Sequence, residues 1–209
     1  YRNNKAAGNA TLVVSFCGNY TGIVEKTFTI TEKPAQTVSF TDVSDGKVEK
    51  TYGDPSFTHT ATTNGDGAIT YGSSATTVAT VNESTGEVTI VGAGEAVITA
   101  TAAETNNHAA GSAHYTLVVA KQEVNVLQSP TATAITYGQT LDESTLSGGS
   151  VSPIGTGSTI AGSFAWKDAT IKPTVADSGK EKYEVIFTPE STNYASVGSE
   201  VAITVAPKN

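Results

Sequence analysis

Apolar residues recur at every second position through most of this sequence, the period of a β-strand and not of a helix. Between residues 34 and 120, Val38 and Phe40 alternate with polar neighbours. So do Ile69 and Tyr71, Val88 and Ile90, and Ala96, Ile98 and Ala100, before Tyr115, Leu117 and Val119 close the series. Between 121 and 209 the alternation runs through Val124 and Val126, Phe164 and Trp166, Tyr183, Val185 and Phe187, and Val201, Ile203 and Val205. Turn-forming clusters separate these runs: Ser44-Asp45-Gly46, Asn64-Gly65-Asp66-Gly67, Ser84-Thr85-Gly86, Gly148-Gly149 and Asp177-Ser178-Gly179. About six to eight short strands per stretch, each with one apolar face, predict a sandwich of two sheets. Val38, Phe40, Ile69, Tyr71, Val88, Ile90, Ile98, Leu117 and Val119 should point inward in the first stretch, Phe164, Trp166, Tyr183, Val185, Phe187, Ile203 and Val205 in the second, and Thr70, Thr89, Thr99 and Thr204 outward. No stretch carries a helical period.

The pattern repeats along the chain. Asn19-Tyr20, Asn107-His108 and Asn193-Tyr194 each precede a Gly and a closing alternating strand, and the Asn positions lie 88 and 86 residues apart. A second landmark, Thr51-Tyr52-Gly53-Asp54 and Thr136-Tyr137-Gly138-Gln139, recurs after 85 residues. Two landmarks with nearly one period imply two whole units, 34–120 and 121–209, preceded at 1–33 by the last strands of a third. The links Glu32-Lys33-Pro34-Ala35 and Ala120-Lys121-Gln122 are short, so neighbouring units should be joined semi-rigidly, end to end. The recurrence of Tyr52 and Tyr137 favours a structural part, a hydroxyl tying a loop to the backbone.

Composition supports the strand reading. The 209 residues include 34 Thr and 21 Val against 5 Leu and no Met, and Thr and Val suit pleated strands where Leu and Met suit helices. Net charge is −8, which argues against nucleic-acid binding, where a basic face displaces counterions from phosphate. The apolar runs are too short for a membrane span. Cys17 is the single cysteine, so neither an intrachain disulfide nor a Cys-based zinc site is available. The opening Tyr1-Arg2-Asn3-Asn4 reads as the interior of a longer chain, with any export signal upstream.

Several of these pieces resemble a known family. Ile69-Thr70-Tyr71-Gly72-Ser73-Ser74, Val78-Ala79-Thr80-Val81-Asn82, Gly86-Glu87-Val88-Thr89-Ile90, Gly92-Ala93-Gly94 and Ala96-Val97-Ile98-Thr99-Ala100-Thr101 are similar, in order and spacing, to the group 2 bacterial immunoglobulin-like repeat. Tyr183-Glu184-Val185-Ile186-Phe187-Thr188-Pro189 and Asn193-Tyr194 resemble looser repeats of the same kind. The resemblance implies an all-β chain of tandem Ig-like β-sandwich domains from an exported bacterial surface protein, often an adhesin stalk. Such folds host many functions.

Candidate chemistry is sparse. His59, His108 and His114 are the histidines. His59 should share a strand face with Phe57, and His108 fills the aromatic slot of Tyr20 and Tyr194, a structural variant more readily than a general base. No nucleophile elbow occurs. Asp42, Asp45, Asp54, Asp66 and Glu83 sit in or beside turns, where carboxylates can hold calcium but also cap their own backbone. Lys121 and Lys167 fall at boundary or polar-facing positions, which suits solvated lysines and not the intramolecular Lys–Asn bonds of some surface Ig-like domains. Trp166, two residues after Phe164, suits a core position better than a sugar platform. No catalytic residue, cofactor or metal site is expected.

The expectation is therefore a non-enzymatic spacer on a bacterial cell surface or cell wall that presents a distal domain. The alternative is an adhesin whose own loops or sheet edge bind a host glycan or extracellular protein; an accessory module of a carbohydrate-active enzyme is a third option. Residues 1–33 supply two strands, with Leu12, Val14 and Phe16 alternating on one and Phe28 and Ile30 on the other. A lone hairpin is marginal in water. It should dock on the next unit or, the favoured option, form a homodimer through residues 1–33 by edge pairing or strand exchange.

Overall fold

The computed structural model describes residues 7–208; the reading of residues 1–4 as the interior of a longer chain lies outside them. The fold is all-β and Ig-like, with strands in two layers over apolar cores. Strands β1 (Gly8–Phe16) and β2 (Gly22–Ile30) form an antiparallel hairpin running from Gly8 opposite Ile30 to Phe16 opposite Gly22. Its strands pair only with each other among the described residues. Ala10 is buried and Leu12 and Ile30 are half-buried, but Val13, Val14, Phe16, Ile23, Val24 and Phe28 are exposed.

The next nine strands make one sandwich: β3 (Val38–Phe40), β4 (Lys47–Thr51), β5 (Phe57–Thr58), β6 (Ala61–Thr63), β7 (Ile69–Ser73), β8 (Ala79–Val81), β9 (Glu87–Ile90), β10 (Gly94–Ala102) and β11 (Gly111–Ala120). One layer is the sheet β4-β11-β10-β7; the other consists of β5-β9-β8 and the pair β3-β6. Between them lie Val88, Ile98, Tyr115, Leu117 and Val119, each 3% exposed or less, with Phe40 edge-on to Tyr115. Long antiparallel pairing of β10 with β11 sets the register, Ile98 opposite Tyr115 and Ala96 opposite Leu117. Strand β4 then joins β11 in parallel, bringing Thr51 opposite Ala120. That pairing carries the Tyr52 turn to the end of the sandwich where the chain leaves.

The last nine strands repeat the plan in shorter pieces: β12 (Val124–Gln128), β13 (Thr131–Ala132), β14 (Ile135–Thr136), β15 (Leu146–Ser147), β16 (Ser150–Pro153), β17 (Gly162–Trp166), β18 (Lys182–Pro189), β19 (Val197–Ala202) and β20 (Val205–Ala206). Here β14 pairs in parallel with β20, Thr136 opposite Ala206, as Thr51 does with Ala120. Val185, Phe187, Ile203 and Val205 are buried, and Phe164, Trp166 and Tyr183 are half-buried with their rings against the cores. The Trp166 indole N–H donates to the Ser144 carbonyl at 3.2 Å, which gives its polar atom a partner inside.

The strands keep the expected register: Thr70, Thr89 and Thr204 are exposed and Thr99 is half-buried. Each sandwich has nine strands instead of six to eight, because turns cut several into two- or three-residue pieces. Two single-turn 3-10 helices, Leu141–Glu143 and Val175–Asp177, also occur where no helical period was read. Elements that short have no period to read.

Candidate functional site

The turn Thr51-Tyr52-Gly53-Asp54 sits where the two sandwiches meet. Its shape follows from its residues. Asp54 closes it twice, with its N–H on the Thr51 carbonyl at 3.0 Å and its Oδ2 accepting the Thr51 N–H at 2.8 Å. Gly53 has φ +95°, a conformation that other L residues rarely adopt. The Tyr52 N–H donates to the Ala120 carbonyl at 2.9 Å, fixing the turn to the strand that leads onward.

The Tyr52 ring packs on the first core on one side and meets Tyr194 on the other, edge to face, with ring centroids 5.5 Å apart. Tyr194 in turn packs against the second core at Val124, Val151 and Phe187. Burial, and then the neighbouring Tyr52, push the Tyr194 hydroxyl above the ordinary tyrosine range. Asn193, beside it, accepts the Ala93 N–H through Oδ1 at 2.9 Å. The chain can approach there because residue 92 is Gly: a Cβ would lie 2.8 Å from the Thr77 carbonyl and 3.1 Å from Asn193 Oδ1. The link itself locks in, with the Gln122 N–H on the Asn193 carbonyl at 2.9 Å and the Ala195 N–H on the Gln122 carbonyl at 3.0 Å. The Gln122 side chain lies over Gly53.

Sequence reasoning gave Tyr52 a structural part but the wrong one: its ring, not a hydroxyl-to-backbone tie, is what the joint uses. The tie exists at Tyr71, whose hydroxyl accepts the Ala61 N–H at 3.0 Å. Asn193 and Ala93 were missed as a pair, since nothing local links positions 100 apart. Gln36 was missed too. It is 4% exposed, donates to the carbonyls of Ala103 and Ala109 and accepts from Gly67.

Four of the titratable candidates meet in two pairs, His59 with Asp42 and His108 with Asp66. His59 Nδ1 lies 2.7 Å from Asp42 Oδ2, and its ring stands edge-on to Phe57 and Tyr115. His59 holds the Asp42 carboxyl below its usual range, and burial pushes the Tyr115 hydroxyl up. Asp66 gathers the Thr105 hydroxyl at 2.7 Å, the His108 ring at 2.8 Å and the Asn107 amide at 3.0 Å, in that order of influence, and its carboxyl is held well below the usual range. His108 thus fastens a loop. Lys167 pairs with Glu184 at 2.8 Å on the surface. Among the described residues no three His, Cys, Asp or Glu side chains converge as metal ligands. Cys17 is exposed, and among the described residues no helix is long and apolar enough to cross a membrane.

An open groove of about 380 Å³ runs between residues 146–151 and 160–164 over Phe164 and Phe187. Gly149 and Gly162 let the backbone pack directly on these rings, since a Cβ on either would lie within 2.7 Å of a ring atom, and Phe187 is buried with Phe164 half-buried at the groove floor.

Comparison with known proteins gives the following. No curated protein matches the chain in sequence. Among solved structures, the immunoglobulin domains 1–5 of Sidekick-1 align at 14% identity and TM-score 0.34 over 99% of this chain and 46% of theirs. Human protocadherin-24 EC1-2 aligns at 12% and 0.32, over 78% of this chain and 95% of that one. Drosophila N-cadherin EC1-3 aligns at 16% and 0.31, over 89% and 74%. The chain spans about half the length of the Sidekick-1 structure. Residues 57–104, which enclose the 69–101 stretch read as a bacterial Ig-like repeat, match the family model of the intimin immunoglobulin-like domain.

Proposed function

We propose that this chain is a non-enzymatic segment of a bacterial cell-surface protein, in which Ig-like domains at 34–120 and 121–209 act in series as a stiff spacer. Residues 1–33 are the closing strands of a further domain of the same kind. The supporting observation is the joint: Tyr52 and Tyr194 couple two cores while Asn193 reaches Ala93 across it. A flexible tether would leave these groups in water. The match of residues 57–104 to an intimin domain supports a surface location. The acidic charge of −8 keeps parallel copies apart.

Small-angle scattering tests this reading. The parent chain should give a distance distribution of fixed extent, and Tyr52→Ala with Asn193→Ala should broaden it and lower the mean extension. Identical curves for both would contradict a spacer stiffened at this joint.

The groove over Phe164 and Phe187 favours a second reading, an adhesin surface for a glycan or extended peptide. A glycan and matrix-protein screen separates the two. A saturable hit that is lost on Ser163→Arg, at an exposed position lining the groove, would establish the adhesin reading.

A further inference from the structure

The Tyr52 turn has a twin. At Thr136-Tyr137-Gly138-Gln139 the Gln139 N–H donates to the Thr136 carbonyl at 3.0 Å, and Gln139 Oε1 accepts the Thr136 N–H at 2.6 Å. The Tyr137 N–H donates to the Ala206 carbonyl at 2.8 Å, as Tyr52 does to Ala120. Gly138 has φ +96° against +95° for Gly53. Two turns of one geometry thus stand at the exit ends of two sandwiches. They differ in what lies on top. A Cβ on Gly53 would meet Gln122 at 3.2 Å, whereas one on Gly138 would meet nothing within 4 Å. Tyr52 is half-buried beneath Tyr194, whereas Tyr137 is 52% exposed.

The complementary half of the joint is also exposed at the other end of the molecule. Tyr20 occupies the Asn–aromatic position filled by Tyr194 in the joint, and it is 76% exposed. A matched pair of surfaces, one at each end, is what heterologous head-to-tail stacking requires.

We infer that the Tyr137-Gly138 turn is a docking surface for a further Ig-like domain, joined in series after Ala206, whose Asn–aromatic loop covers Tyr137 as Asn193-Tyr194 covers Tyr52. The occupant is a domain in series because the covered joint is partly built from its own link. Ala120 anchors the turn, and Gln122 both bonds the Asn193 loop and covers Gly53. A free second copy would bring the loop without the link. This inference rests on the serial-spacer reading and adds to it that the joint after Ala206 is made by the same pair of parts as the joint after Ala120.

Hydroxyl-radical footprinting by mass spectrometry tests it on two proteins, the 209-residue chain and a chain in which residues 1–206 are followed by a second copy of residues 121–209 that carries Ser158→Thr, an exposed position, so that its Tyr137 peptide differs in mass. In the first, Tyr137 should be oxidised several-fold faster than Tyr52. In the second, the original Tyr137 should fall to the rate of Tyr52, with the added copy's Tyr137 staying fast. Tyr194→Ala in the added copy should restore the fast rate, and Tyr194→Phe should keep the protection, which separates loss of the ring from loss of the fold. A Tyr137 that stays fast in the longer chain while Tyr52 is protected would overturn the inference and leave the spacer reading standing. A Tyr52 as reactive as Tyr137 in the 209-residue chain would overturn both. Protection of Tyr137 that grows with the concentration of the 209-residue chain would assign the surface to a second copy and overturn the in-series claim.

Discussion

The hydroxyl of Tyr71, on the four-stranded sheet, accepts the main-chain N–H of Ala61 in the facing layer at 3.0 Å. This single bond spans the sandwich and satisfies a buried donor on a strand only three residues long. Tyr71→Phe keeps the ring and strands that N–H, so it should cost about 1–3 kcal/mol in denaturant unfolding. An unchanged midpoint would mean that Ala61 finds another acceptor.

Asn193 protects an amide in the other sandwich. Its Oδ1 accepts the Ala93 N–H at 2.9 Å, and a net hydrogen bond is worth about 1 kcal/mol. Asn193→Ala should therefore speed hydrogen exchange at Ala93 by roughly fivefold, with protection at Ile98 and Leu117 unchanged. Equal exchange at Ala93 before and after would show the two sandwiches part freely.

The Asp66 loop sets an acid limb. Its carboxyl is held below its ordinary value by the Thr105 hydroxyl first, then by His108 and Asn107. A lowered folded value means that the unfolded chain takes up the proton first. The contribution is complete above the unfolded value of about 4 and is lost as pH falls below it. Thermal unfolding followed from pH 7 to pH 2 should show the parent losing more stability below pH 4 than Asp66→Asn does. Parallel curves would remove Asp66 from the account.

The hairpin of residues 8–30 leaves Val14, Phe16, Ile23 and Phe28 exposed, with no further strand paired to either edge among the described residues. Such edges pair with other chains. Light scattering should find the 209-residue chain associating and a chain starting at Pro34 monomeric. Two monomers of equal stability would show that the hairpin neither associates nor stabilises its neighbour.

The inward faces were legible because strand register is binary: a one-residue slip would have buried Thr70 and Thr89 in place of Tyr71 and Val88. The joint was legible only as two recurring landmarks. Asn193 and Tyr52 carry no local mark of their partners, since the contact depends on how two sandwiches stack and not on the period within either. Gln36 was hidden for another reason. A buried amide reads as a surface residue until the carbonyls of Ala103 and Ala109 are placed around it. The parallel pairing of β4 with β11 joins strands far apart in sequence and has no turn signal to announce it.

A distance measured across the joint of Tyr52 and Tyr194 reads its stiffness. Spin labels at Thr89→Cys and Glu200→Cys, both exposed strand positions, in a Cys17→Ser background, report one distance by pulsed electron spectroscopy. A stiff joint gives a single narrow distribution that broadens when Tyr52 and Asn193 are both changed to Ala. A broad distribution in the otherwise unaltered chain would contradict it.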